Sequence, residues 1–134
     1  MLQLSKKVEY GLIALRHMAM NPSVRMFTAK ELARTYDIPY ELLAKVLQKL
    51  TRAGIVSSTQ GVRGGYALAR RPEEVNVAHV INIIEDEKPM IAECYAEHGE
   101  NCSIFDACTI RKPLGKVQQN LNLIFDHMTL REIL

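Results

Sequence analysis

Apolar residues Val8, Leu12, Leu15 and Ala19 recur at alternating spacings of four and three. That spacing lines one face of a helix and predicts one over residues 5–20. Asn21-Pro22 ends it. Thr28-Ala29-Lys30-Glu31 has the spacing of a capping box, in which the hydroxyl and the carboxylate each satisfy an otherwise unpaired amide. A short helix over 29–36 follows from it. Asp37-Ile38-Pro39 then breaks the chain, and Pro39 suits the first position of the next helix, where its missing N–H costs nothing. This second helix runs to about Ala53, with Leu42, Leu43, Val46, Leu47 and Leu50 facing inward and Gly54 as its stop.

The pattern then changes. Ile55–Thr59 and Tyr66–Ala69 are β-prone, and Gln60-Gly61-Val62-Arg63-Gly64-Gly65 lies between them. Such a glycine-rich link predicts a hairpin tip with positive φ angles. Pro72 closes the unit, and Asn76 is placed to cap a helix with Val77, Val80, Ile81 and Ile84 on its apolar face. Residues 86–109 are polar and show little periodicity; a stretch this long without regular structure in a small domain is usually functional. A last helix is predicted over about 113–127. On it Leu114, Val117, Leu121, Ile124 and Met128 alternate at three and four, a heptad seam. Thr129-Leu130-Arg131-Glu132 repeats the capping-box spacing.

The predicted architecture is mainly α with a small β-hairpin wing: a winged helix-turn-helix plus a long C-terminal dimerisation helix. Residues 1–85 form the DNA-binding domain, 86–109 a cysteine-bearing loop, and 110–134 the dimerisation helix with a terminal cap. The seam at Leu114, Val117, Leu121, Ile124 and Met128 either packs on its own domain or pairs with a twin. At the end of a small winged domain we read it as the interface of a homodimer.

Composition narrows the class. The chain has 134 residues, 48% hydrophobic and 24% charged, enough apolar content to build a core. No apolar run approaches the roughly 18–20 residues of a membrane span. Met1 to Lys7 lacks the apolar stretch of a signal peptide, so a cytoplasmic protein with no membrane partner is expected. In a reducing compartment its three cysteines are free, metal-bound or redox-active sooner than disulfide-bonded. Residues 1–72 carry 12 Lys and Arg against 4 Asp and Glu, net +8; residues 73–134 carry 5 against 11, net −6. A basic half of this kind is expected to meet a polyanion. No Ser–His–Asp logic, phosphate loop or cofactor fingerprint is present, so neither an enzyme nor a small-molecule substrate is expected.

Two helices and a Gly/Arg-tipped hairpin suit double-stranded DNA, with a helix in the major groove and a cation of the wing near the backbone or minor groove. The expected contacts are Tyr40 and Glu41 at the start of the recognition helix, Lys45, Lys49 and Arg52 further along, and Thr28 and Lys30 at the start of the preceding helix. Arg63 and Gly64 belong to the wing tip. Cys94, Cys102 and Cys108 form C-x7-C-x5-C. Three thiolates in one loop suit an iron–sulfur cluster, while the missing C-x2-C knuckle argues against structural zinc; spacing alone leaves cluster, zinc and no metal open. His98 is a local rival ligand, and His17, His79 and His127 read as structural or solvent-facing.

The segments Ile38-Pro39, Leu43-Ala44-Lys45-Val46-Leu47, Ala53-Gly54-Ile55-Val56-Ser57-Ser58 and Gly64-Gly65-Tyr66-Ala67-Leu68-Ala69-Arg70 resemble the Rrf-two superfamily. Leu4-Ser5-Lys6, Tyr10-Gly11-Leu12 and Met128-Thr129-Leu130 extend the resemblance over essentially the whole chain. It implies a dimeric transcriptional regulator, of repressor type, on palindromic operators, with Arg63 in the minor groove. It also implies that Cys94, Cys102 and Cys108 hold an iron–sulfur cluster, 4Fe–4S ahead of 2Fe–2S, sensing redox state, nitric oxide or iron and cluster status. Arg111 stands where some members have a ligand His, and related sensors take a carboxylate from the partner's first helix; the matching residue is Glu9. Ala44 stands where a member has a recognition-helix Glu, so no operator sequence carries over. The alternatives are a cluster-free thiol- or partner-sensing repressor and, further off, an iron–sulfur electron carrier or zinc adaptor.

Overall fold

Ser5 opens the first helix, α1 (Lys6–Met20): its hydroxyl accepts from the Val8 N–H at 3.3 Å and donates to the Glu85 carboxylate. A computed structural model describes residues 3–96 and 98–134. In α2 (Ala29–Tyr36) both halves of the capping box are made, Glu31 N–H to Thr28 Oγ1 at 3.1 Å and Thr28 N–H to Glu31 Oε2 at 3.2 Å. Asp37 ends α2 in the left-handed region, at φ 54°. α3 (Tyr40–Arg52) begins one residue later than Pro39 suggested: Pro39 is its N-cap, with extended ψ of 120°, and its carbonyl accepts from Leu43 N–H at 3.1 Å. α4 (Val77–Glu85) is capped by Asn76, which accepts from His79 N–H at 2.9 Å.

Strands β1 (Val56–Thr59) and β2 (Gly65–Leu68) pair antiparallel, from Val56 opposite Leu68 to Thr59 opposite Gly65. Phe27 exchanges two backbone bonds with Tyr66, of 2.8 and 2.7 Å, and so anchors the hairpin base to the segment that leads into α2. Between α4 and the last helix the chain is less structureless than its composition suggested. It makes two 3₁₀ turns, Glu93–Tyr95 and Gly99–Asn101. α5 (Arg111–His127) starts two residues before the expected point, because Pro113 is tolerated in a first turn whose N–H groups lack intrahelical acceptors anyway.

The core lies where α1, α3 and α4 meet, with Val8, Leu15, Leu43, Leu47, Leu50 and Ile84 essentially sealed from solvent. Gly11 allows the approach: a Cβ there would lie 2.6 Å from Ile84 Cδ1 and 3.1 Å from Val46 Cγ1. The C-terminus closes the same core. Leu130 is fully buried, its N–H bonds Val75 carbonyl at 2.8 Å, and Val77 N–H bonds Met128 carbonyl at 2.9 Å. Among the described residues no helix is long and apolar enough to cross a membrane.

Candidate nucleic-acid interface and cysteine loop

The exposed face of α3 is set by its buried one. With Leu43, Val46, Leu47 and Leu50 turned inward, the 100° step per residue turns Glu41, Lys45, Gln48 and Arg52 outward as one polar stripe, and all four are exposed. Tyr40 is exposed at its start. Gln48 was not singled out from the sequence, although it sits between Lys45 and Arg52 on the helical period. Lys49 lies off the stripe: its Nζ donates to the Ile84 carbonyl at 3.0 Å and to Asp86 Oδ2 at 3.4 Å, across the C-terminus of α4. A cation there satisfies a carbonyl and offsets the negative end of the helix dipole. The Thr28 hydroxyl accepts the α2 cap bond, and Lys30 is exposed in the first turn of that helix.

The wing tip is shaped by glycine. Gly61 has φ 109° and accepts from Gly64 N–H at 3.0 Å. A Cβ on Gly64 would fall 2.1 Å from the Thr59 carbonyl oxygen, which is backbone and has no room to yield. Arg63 and Val62 are therefore presented at the apex, Val62 with 106% relative exposure.

The cysteine loop lies against the start of α5. Cys94, Cys102 and Cys108 are all free and half-buried. The Tyr95 hydroxyl, next to Cys94, donates to the Arg111 carbonyl in the first turn of α5. Burial pushes the Tyr95 phenol up from its ordinary value; the nearby Cys94 and Cys108 push the same way, and Arg111 opposes them. The Arg111 guanidinium stacks 3.8 Å from the centre of the Phe105 ring. Gly99 is pressed on Cys94: a Cβ there would lie 2.4 Å from the Cys94 carbonyl oxygen. Three soft thiols on one loop suit a thiophilic metal centre. Yet among the described residues no three Cys, His, Asp or Glu side chains are gathered to hold a metal ion, so neither Glu9 nor His98 completes a site with the thiols within one chain. Glu9 instead pairs with Lys6 at 2.7 Å, a hydrogen bond that keeps the Lys6 ammonium charged to higher pH. His98 adopts φ 65° and lies 3.5 Å from Glu100.

On α5 the predicted seam divides. Met128 packs on the chain's own core, as does Phe125 beside the seam, and Leu121 lines a groove with Phe125, Leu4, Pro89 and Met90. Leu114 is half-buried. Val117 and Ile124 face outward at 47% and 54% exposure, joined by Leu123.

A helix pair with an outward polar stripe, followed by a glycine-tipped hairpin, defines a winged-helix DNA-binding regulator. The sequence profile of the Rrf2 family, described as an iron-dependent transcriptional regulator, matches residues 4–134, and the chain belongs to this family. It is similar to the HTH-type transcriptional regulator NsrR of Halalkalibacterium halodurans, 28% identical over 133 residues, covering 99% of this chain and 90% of that protein. It is 33% identical over 125 residues to Protein aau3 of Rhizobium meliloti, covering 93% and 78%. Among solved structures, T. potens IscR matches with TM-score 0.74 and 25% identity over 98% of this chain and 85% of that one. CymR, the global cysteine regulator of B. subtilis, shares the fold with TM-score 0.77 and 23% identity, covering 99% and 96%. NsrR and CymR are named as regulators and not enzymes, in line with the missing catalytic motifs.

Proposed function

We propose that the protein acts as a homodimer on two-fold symmetric operator DNA and that an iron–sulfur cluster on Cys94, Cys102 and Cys108 sets its affinity, as a repressor. The observation that carries this reading is the placement of three free, half-buried thiols on one loop docked against α5. The iron-dependent description of the family supports it. The DNA contacts would come from Tyr40, Glu41, Lys45, Gln48 and Arg52 on α3, Thr28 and Lys30 at α2, and Arg63 at the wing, shaped by Gly64. Lys49, engaged at α4, leaves that set. The outward apolar residues Val117 and Ile124 support pairing of two α5 helices.

Three thiols leave a fourth coordination position, and among the described residues none of the same chain is gathered with them to fill it, which favours Glu9 of the partner subunit as the fourth ligand. A carboxylate oxygen is a harder and weaker partner for iron than a thiolate, so this position would be the labile one. When bound, the cluster supplies a group that reacts with oxidants and nitric oxide; 4Fe–4S is favoured over 2Fe–2S by the resemblance to NsrR.

Iron and acid-labile sulfide per subunit, with a visible spectrum, on protein purified without oxygen, tests the reading. Stoichiometric iron and sulfide that disappear in Cys94→Ala, Cys102→Ala or Cys108→Ala are expected. Glu9→Ala should alter the spectrum while His98→Ala leaves it unchanged. The ungathered thiols favour a second reading, a cluster-free thiol-sensing regulator. Protein that stays colourless after reconstitution, yet binds operator DNA in a salt-dependent way, would establish that reading instead.

A further inference from the structure

Gln118 is the one polar residue in the buried set of the described residues, at 7% exposure. It stands in the middle of α5, among the positions expected to pair with a twin, yet it is turned to its own chain. Its amide oxygen accepts from Ile91 N–H at 2.9 Å, and its amide nitrogen donates to the Pro89 carbonyl at 2.8 Å and to Asn122 Oδ1 at 2.9 Å. Residues 88–91 have no helix or strand partners. Their backbone groups need partners when shielded from water, and the Gln118 amide supplies them as a strand would.

Cys94 follows three residues later. On its other side the Tyr95 hydroxyl donates to the Arg111 carbonyl, in the first turn of the same helix. The far limb of the loop is held there too, by Arg111 stacked on Phe105 between Cys102 and Cys108. Gly99, closed against the Cys94 backbone, leaves the loop no slack at that point. The thiol-bearing loop is thus tied to α5 at two levels, at its first residue Arg111 and at Gln118, about two turns further on. Anything that draws the three sulfurs together must either carry α5 with it or break these bonds.

We infer that Gln118 and Tyr95 are the positioning residues that couple the state of the cysteine loop to α5, so that chemistry at the thiols is read as a displacement of the helix. The inference rests on the reading of 94–108 as the sensing loop, and the experiment separates the two. The probe is N-ethylmaleimide on reduced, metal-free, full-length protein, and the readout is amide hydrogen exchange resolved for residues 88–108 and for α5, with operator affinity measured in parallel. In the wild type, alkylation should speed exchange in the loop and, by roughly five- to tenfold, in the first three turns of α5. In Gln118→Met, which keeps the shape and loses the amide bonds, and in Tyr95→Phe, which loses one hydroxyl, the loop should still respond while the response of α5 falls away. A merely structural role would raise the baseline exchange of both variants and leave the alkylation-induced ratio as in the wild type; that outcome overturns the inference, as does a wild-type α5 that ignores alkylation. Tyr95→Phe, a change at a half-buried hydroxyl, keeps the test available should Gln118→Met not fold. A wild-type α5 that responds while operator affinity does not would sink the sensing reading and leave the coupling standing.

Discussion

Gly64 carries no side chain because the Thr59 carbonyl occupies the space a Cβ would need. Gly64→Ala is therefore expected to distort the wing at a cost of order 1–3 kcal/mol. Because the strain is confined to the hairpin tip, it should weaken DNA binding about tenfold in a fluorescence anisotropy titration with the helical circular dichroism signal unchanged. At this scale the sequence was uneven as a guide. The glycines around Arg63 mark a hairpin tip with positive φ from the sequence alone. Lys49 gave no such warning: a lysine three residues before Arg52 looks like part of a basic helix face. Only its bond to the Ile84 carbonyl reveals that it closes the end of α4. Gln48 was missed for the opposite reason, an uncharged residue on the stripe that charge counting passes over.

At the scale of elements, local chemistry had the stronger hand. The capping box at Thr28–Glu31 forms with the predicted partners, and at Thr129–Glu132 the carboxylate half forms, Thr129 N–H to Glu132 Oε2 at 2.7 Å, because such bonds link residues only three apart and do not depend on the rest of the fold. Thr28→Ala should lower stability by about 1 kcal/mol in urea unfolding, through loss of the α2 cap. The expected start of α3 at Pro39 and of α5 at Pro113 were each displaced by a residue or two. Proline forbids a hydrogen bond but does not say which of two adjacent positions opens the helix. The loop 86–109 was legible as irregular and cysteine-bearing, and its 3₁₀ turns were not, since they are held partly by contacts to α5.

At the scale of the whole molecule, the heptad stripe of α5 serves two surfaces. Met128, with Phe125 beside the stripe, packs against the chain's own core, and Val117 and Ile124 look outward. Ile124→Asp would place an unpaired carboxylate in the proposed seam. It should weaken self-association at least about 100-fold, ~3 kcal/mol, by sedimentation equilibrium. The helical circular dichroism signal at 25 °C should hold, because the side chain is half-exposed within one chain. A variant that sediments as the wild type does would place the dimer surface elsewhere.

Periodicity and local signals along the chain determined the helices, the hairpin, their order and the apolar faces of α1, α3 and α4, because each depends on neighbours a few residues apart and on burial, which is non-directional. The cysteine spacing likewise singled out the chemistry worth testing. Tertiary structure alone decided which polar side chains stay outside. Gln118 was drawn inward by the unpaired backbone of Pro89 and Ile91, and Lys49 by the Ile84 carbonyl at the end of α4. Those outcomes turn on directional bonds between residues tens of positions apart, whose partners no local pattern can name.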